Sequence, residues 1–91
     1  MWQDGTFYNG IFYSGIWNNG YFNGGEFNNS IWNNGYFNGG EFIKSTWNNG
    51  DFNGGNWNTL GSFWFGGVWI NGTQNNEIPT YNKRAINKII L

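Results

Sequence analysis

The chain has 91 residues, of which 10% are charged, with a net charge of −1 and neither cysteine nor histidine. These values exclude disulfides, thiolate chemistry, zinc sites with Cys or His ligands and imidazole acid–base catalysis. They leave no basic field for a nucleic-acid backbone and no acidic face that would imitate one, and the length allows one domain with a modest core.

The N-terminal segment carries no basic stretch followed by an apolar one, and no apolar run reaches the length of a membrane span. The expectation is a protein without a signal peptide or transmembrane segment. Asparagine and glycine dominate the polar part, beside 23% aromatics. Such a mixture also suits prion-like low complexity, but the strict period described next marks an ordered repeat.

From Trp2 to Trp57 every fifth residue is Phe or Trp: Trp2, Phe7, Phe12, Trp17, Phe22, Phe27, Trp32, Phe37, Phe42, Trp47, Phe52 and Trp57. Helical geometry, at about 100° per residue, would scatter this series around the axis. An uninterrupted strand would point successive members to opposite faces, because the period is odd. The aromatics stay on one side only where the backbone turns a corner once per pentad, and stacked coils of that kind make a β-solenoid. Within each unit a small residue, usually Gly, stands two before the aromatic, so both face inward; Asn and Gly follow, where a corner needs positive φ.

Units such as GIWNN, GYFNG and GEFNN resemble those of the pentapeptide-repeat family, which place a small residue two before a central Leu or Phe. The resemblance covers residues 5–59, with Gly in place of the family's Ala and frequent Trp at the centre. It implies a right-handed β-solenoid with four pentads per coil. A second period competes with that number. Residues 16–30 match 31–45 at 13 of 15 positions, and 46–60 match 31–45 at 8 of 15. Coils of three pentads would stack Trp on Trp and Phe on Phe, and the divergent first block keeps the same aromatic order. Duplication of a 15-residue unit leaves this trace at any coil size, so coils of three or four pentads both stand, with three favoured.

The expected fold is therefore all-β, with residues 1–60 as the solenoid. After Trp57 the phase shifts by two, so residues 61–73 are an irregular terminal coil or cap, with Trp64 and Trp69 again five apart. A bulged last coil, a capping hairpin and a partner-binding surface compete there; capping is the commonest use of an atypical terminal repeat and is favoured. Residues 74–91 are a linker and tail whose last part, TYNKRAINKIIL, has helical apolar spacing with Thr80 as N-cap.

No catalytic set emerges. The acids Asp4, Glu26, Glu41, Asp51 and Glu77 include no pair with an evident cleft. Glu26 stacked over Glu41 reads as a solvated pair in preference to a calcium site, and no cofactor is expected. Tyr21 and Tyr36 lie between inward residues and face solvent, with Tyr8 and Tyr13 as further exposed aromatics. These, with Trp64 and Trp69, are the candidate ligand or interface residues. Trp2 marks an uncovered first coil, an assembly end where strand edges invite association.

The expected function is a non-enzymatic structural protein assembling with itself or a partner into a fibre, spike or appendage. Asn/Gly/aromatic pentads of this kind are similar in composition to those of phage tail-fibre and other virion proteins, which implies a virion or extracellular appendage. A glycan-binding module is the alternative, since sugars stack on aromatics and bond to amides. Some pentapeptide-repeat proteins mimic DNA and bind type II topoisomerases, which is the least expected reading for five acids. Neither nucleic acid nor membrane insertion is expected as a partner.

Overall fold

The computed structural model describes residues 1–77, so the helix expected over residues 80–91 lies outside the described part. Those residues form a parallel β-solenoid of about five coils with three faces. No described residue is helical.

Each pentad supplies one short strand, and every third strand shares a sheet. The tyrosine face contains β1 (Thr6–Phe7), β4 (Tyr21–Phe22), β7 (Tyr36–Phe37), β10 (Asp51–Phe52) and β13 (Val68–Trp69). The glutamate face contains β2 (Ile11–Tyr13), β5 (Glu26–Asn28), β8 (Glu41–Ile43), β11 (Asn56–Trp57) and β14 (Thr73–Gln74). The tryptophan face contains β3 (Ile16–Trp17), β6 (Ile31–Trp32), β9 (Thr46–Trp47) and β12 (Phe63–Trp64), extended by a bridge from Trp2 to Trp17.

Register pairs each residue with its counterpart three pentads on, as in Tyr21 with Tyr36 and Trp32 with Trp47. The coil therefore holds three pentads, not the four implied by the pentapeptide-repeat resemblance. Two backbone bonds per pentad tie a coil to the one before: Tyr36 N–H donates to Gly20 O and Asn38 N–H to Phe22 O, both at 2.8 Å.

The interior explains why three pentads close a coil. Trp32, Phe37 and Phe42 meet edge-on, with ring centroids 5.7 and 5.8 Å apart at 75° and 83°. Each ring then lies flat on its counterparts in the adjacent coils. Trp32 is 4.9 Å from both Trp17 and Trp47, at 7° and 5°. Three aromatics in edge-to-face contact fill the layer, and ten of them from Trp17 to Trp69 are fully buried. Offset stacks and T-shaped contacts each add about 0.5–1.5 kcal/mol beyond area burial.

Corner chemistry separates the third corner of each coil from the other two. Entering the tyrosine and glutamate faces, the small residue itself has positive φ; at Gly35 it is 119°. A Cβ there would come within 2.4 Å of Gly20 O, so only Gly fits. Entering the tryptophan face, positive φ falls one residue earlier, at Ser14 (56°), Asn29 (51°) and Lys44 (47°), values that non-Gly residues can adopt. The small residue then has ordinary φ, and serine occupies it at Ser30, Ser45 and Ser62.

Those serines are a hydrogen-bonded ladder. Ser45 Oγ accepts from Ser30 N–H at 3.0 Å and donates to Ile43 O at 2.7 Å. Ser30 Oγ does the same for Gly15 N–H and Asn28 O. Each hydroxyl closes the bulged corner whose backbone N–H has no strand partner. Ser45→Ala leaves the buried Ser30 N–H unpaired, while Ile43 O keeps its bond from Asn29 N–H, and is expected to cost about 1–3 kcal/mol, readable as a lower urea midpoint with an unchanged slope.

The phase shift after Trp57 is an insertion in one corner. Trp64 follows Trp57 at a spacing of seven, where Trp47 follows Phe42 at a spacing of five. The extra length bulges outward at Leu60, which is exposed, and the coil then resumes. Trp64 stacks on Trp47 at 5.1 Å and Trp69 on Phe52 at 4.4 Å. Residues 61–73 thus continue the solenoid as a bulged coil, the first of the three readings open for this segment. The chain first turns back on itself after Gln74, through Asn75 and Asn76 at positive φ, to an antiparallel bridge with Glu77.

Candidate functional site

The outward positions of the three faces form columns along the rod, and these are the surfaces available to a partner. On the tyrosine face the column runs Thr6, Tyr21, Tyr36, Asp51 and Val68. Tyr21 and Tyr36 are 46% and 42% exposed, and their rings sit 4.9 Å apart at 48°. The two rings touch in a tilted pair and both stay largely open to solvent. Beside them Asn23, Asn38 and Asn53 form an amide ladder, Asn38 Nδ2 donating to Asn23 Oδ1 and Asn53 Nδ2 to Asn38 Oδ1, each at 2.8 Å. Ladders of this kind, with stacked aromatics, are the chemistry of cross-β assemblies.

The tryptophan face is the most apolar. Its outward column is Ile16, Ile31, Thr46 and Phe63, of which only Thr46 is polar. A second amide ladder, Gln3, Asn18, Asn33 and Asn48, runs along its edge. A groove of about 390 Å³ follows the neighbouring corner, lined by Ser14, Ile16, Asn29, Ile31, Lys44 and Thr46 among others. No apolar column on this face was singled out in the sequence, although the spacing of Ile16 and Ile31 carried it.

On the glutamate face Glu26 pairs in register with Glu41. Each carboxylate has its own amide donor: Asn28 Nδ2 at 2.7 Å for Glu26 and Asn56 Nδ2 at 3.0 Å for Glu41. The amides offset the like-charge contact, which opposes the sheet when unrelieved. Among the described residues no cluster of three acids is placed to hold a metal ion.

The singled-out residues are dispersed. Tyr8, Tyr21 and Tyr36 share the tyrosine face, while exposed Tyr13 ends a strand of the glutamate face. Trp69 is fully buried in the core and offers no surface; Trp64 is half-buried in the last coil of the tryptophan column. Trp2 is half-buried and stacked 4.9 Å from Trp17. No helix among the described residues is long and apolar enough to cross a membrane.

These features define a repeat β-solenoid with an aromatic-ladder core. Comparison with known proteins finds no family model, curated protein or solved structure that matches the chain.

Proposed function

We propose that this chain is a non-enzymatic structural protein, a short rod that assembles with itself or a partner into a fibre, spike or appendage. One observation carries the reading. In the first coil Trp2, Phe7 and Phe12 are only half-buried, while their counterparts Trp17, Phe22 and Phe27 one coil on are at 0% exposure. The strands of that coil are paired on one side only. An exposed strand edge with apolar side chains is a template for a further strand, which in the proposed assembly a partner or a second copy supplies. The exposed Ile16, Ile31 and Phe63 add lateral apolar area that sparse surface charge does little to oppose.

Asn/Gly/aromatic pentads are similar in composition to those of phage tail fibres, which makes a virion or extracellular appendage the proposed setting. The glycan-binding alternative rests on exposed Tyr8, Tyr13, Tyr21 and Tyr36. It stands second because Tyr21 and Tyr36 contact each other in a tilted pair and the neighbouring amides already bond to one another.

Light scattering with negative-stain electron microscopy tests the proposal. Filaments or a defined oligomer, reduced by Phe7→Lys at the exposed edge, are the expected result. A monomer at all concentrations would overturn self-assembly. Retention on polysaccharide columns that is lost with Tyr36→Ala would bring the glycan reading forward.

A further inference from the structure

We infer that Asn34 and Asn49 are sites of intramolecular deamidation and that the paired positions Asn38 and Asn53 are protected by the fold. Each of the four precedes a glycine in the sequence, and glycine presents no side chain to obstruct attack on the preceding residue. In an unfolded chain the four are chemically alike. The solenoid makes them different.

Asn38 and Asn53 belong to the amide ladder of the tyrosine face. Asn38 donates to Asn23 and accepts from Asn53, each at 2.8 Å. Moving either side chain onto the following backbone nitrogen breaks at least one of these bonds. Asn34 and Asn49 stand at the corner that enters the same face, are exposed, and make no side-chain hydrogen bond among the described residues.

Asp4 shows what a side chain can do at that corner. It precedes Gly5 in the column continued by Asn19, Asn34 and Asn49, one per coil. Gly5, Gly20, Gly35 and Gly50 share one backbone conformation, with φ of 107°, 121°, 119° and 115°. Asp4 Oδ1 lies 2.8 Å from Gly5 N, so its carboxyl group is folded over the nitrogen of the next residue. An asparagine in that posture holds its Cγ beside the attacking atom. Asn19 is restrained by a long contact of 3.5 Å from its Nδ2 to Asp4 Oδ1 and is intermediate. An open groove of about 210 Å³, lined by Asn19, Asn34, Gly35, Tyr36, Gly50 and Asp51, admits the water that completes the reaction.

The reaction needs water alone. Gly35 N attacks Asn34 Cγ; the N–Cγ bond forms, the Cγ–Nδ2 bond breaks, and ammonia leaves with the proton from Gly35 N. Water then opens the succinimide at either carbonyl to give aspartate or isoaspartate. Each event adds a negative charge to a column whose members repeat at the spacing of adjacent strands, where like charges repel. Isoaspartate also lengthens the main chain at a corner that has no slack. The result is a one-way, age-dependent loosening of the rod along one corner.

The test is incubation of the folded protein at mildly alkaline pH, with peptide mapping by mass spectrometry over time and a parallel sample in denaturant. Asn34 and Asn49 are expected to convert at least about tenfold faster than Asn38 and Asn53 in the folded sample, the factor set by the ladder bonds that must open. The difference should vanish in denaturant. Similar rates at all four sites in the folded protein would overturn the inference. So would survival of Asn34 and Asn49 while the denatured chain reacts.

Discussion

Gly35→Ala is expected to cost about 3 kcal/mol or more, from strain at a positive φ and from overpacking. The added Cβ would lie 2.4 Å from Gly20 O and 2.9 Å from Gly20 N, both backbone atoms of the coil beneath. Neither can move without opening the bond from Tyr36 N–H to Gly20 O. The coils would separate at that corner, in the middle of the rod. A domain of this size holds about 5–15 kcal/mol in total, so one methyl group consumes a large share of its stability. Gly15→Ser is the matched control. Gly15 has ordinary φ, its counterparts are Ser30 and Ser45, and the added Cβ meets only the half-buried Phe12 ring at 3.1 Å. That variant should stay within about 0.5–1 kcal/mol of the parent. Urea unfolding of the two variants side by side checks the pair; equal losses would refute the corner assignment.

Trp32→Ala is the second large effect, with an expected loss of about 3–5 kcal/mol. Trp32 has no exposed surface and is flanked by Trp17 and Trp47 on its two faces and by Phe37 and Phe27 at its edges. Truncation opens a cavity that neighbouring coils cannot close without breaking their own backbone bonds. Trp32→Phe should behave very differently. The indole N–H of Trp32 is buried without a hydrogen-bond partner, as are those of Trp17 and Trp47. Phenylalanine loses some packing but also removes an unpaired donor whose burial costs about 1–3 kcal/mol. The adjacent Phe22–Phe37–Phe52 stack already has the same 4.9 Å spacing, so a phenyl ring fits the rise of the coil. The net change expected for Trp32→Phe is below about 1.5 kcal/mol. A loss as large as that of alanine would mean that the indole N–H finds an acceptor after all.

Much of this fold was legible from residue types at fixed spacing. The five-residue aromatic series required a corner per pentad, and the recurrence of Trp, Phe, Phe in each block favoured three pentads per coil over four. The position of Ser30 and Ser45 carried the same message: serine replaces glycine once per coil, at the one corner where the backbone permits a side chain. The resemblance to pentapeptide repeats pointed to a larger coil because it compares unit with unit, whereas coil size depends on how many rings complete a layer. The segment after Trp57 was harder to read. An insertion at an exposed corner shifts the sequence phase without disturbing the column inside, so a bulge looks the same as the end of a repeat.

The outer faces were legible only in part. Tyr21 and Tyr36 face solvent because they lie between inward residues, and that follows from alternation alone. Their tilted contact and the pairing of Asn23, Asn38 and Asn53 depend on register. Once the register is three pentads, the ladders follow, and asparagine that resembles corner filler becomes a continuous hydrogen-bonded edge. Trp69 was misplaced for the same reason: its column could not be assigned until the insertion after Trp57 was located.

Excimer fluorescence from pyrene attached to paired cysteines tests the three-pentad coil most directly, since the chain has no cysteine of its own. Tyr21→Cys with Tyr36→Cys places the labels in register on one exposed column. Ile16→Cys with Tyr36→Cys, four pentads apart, places them on different faces. The fold described here predicts a strong excimer band for the first pair and none for the second. An excimer from the second pair without one from the first would contradict it and establish a four-pentad coil.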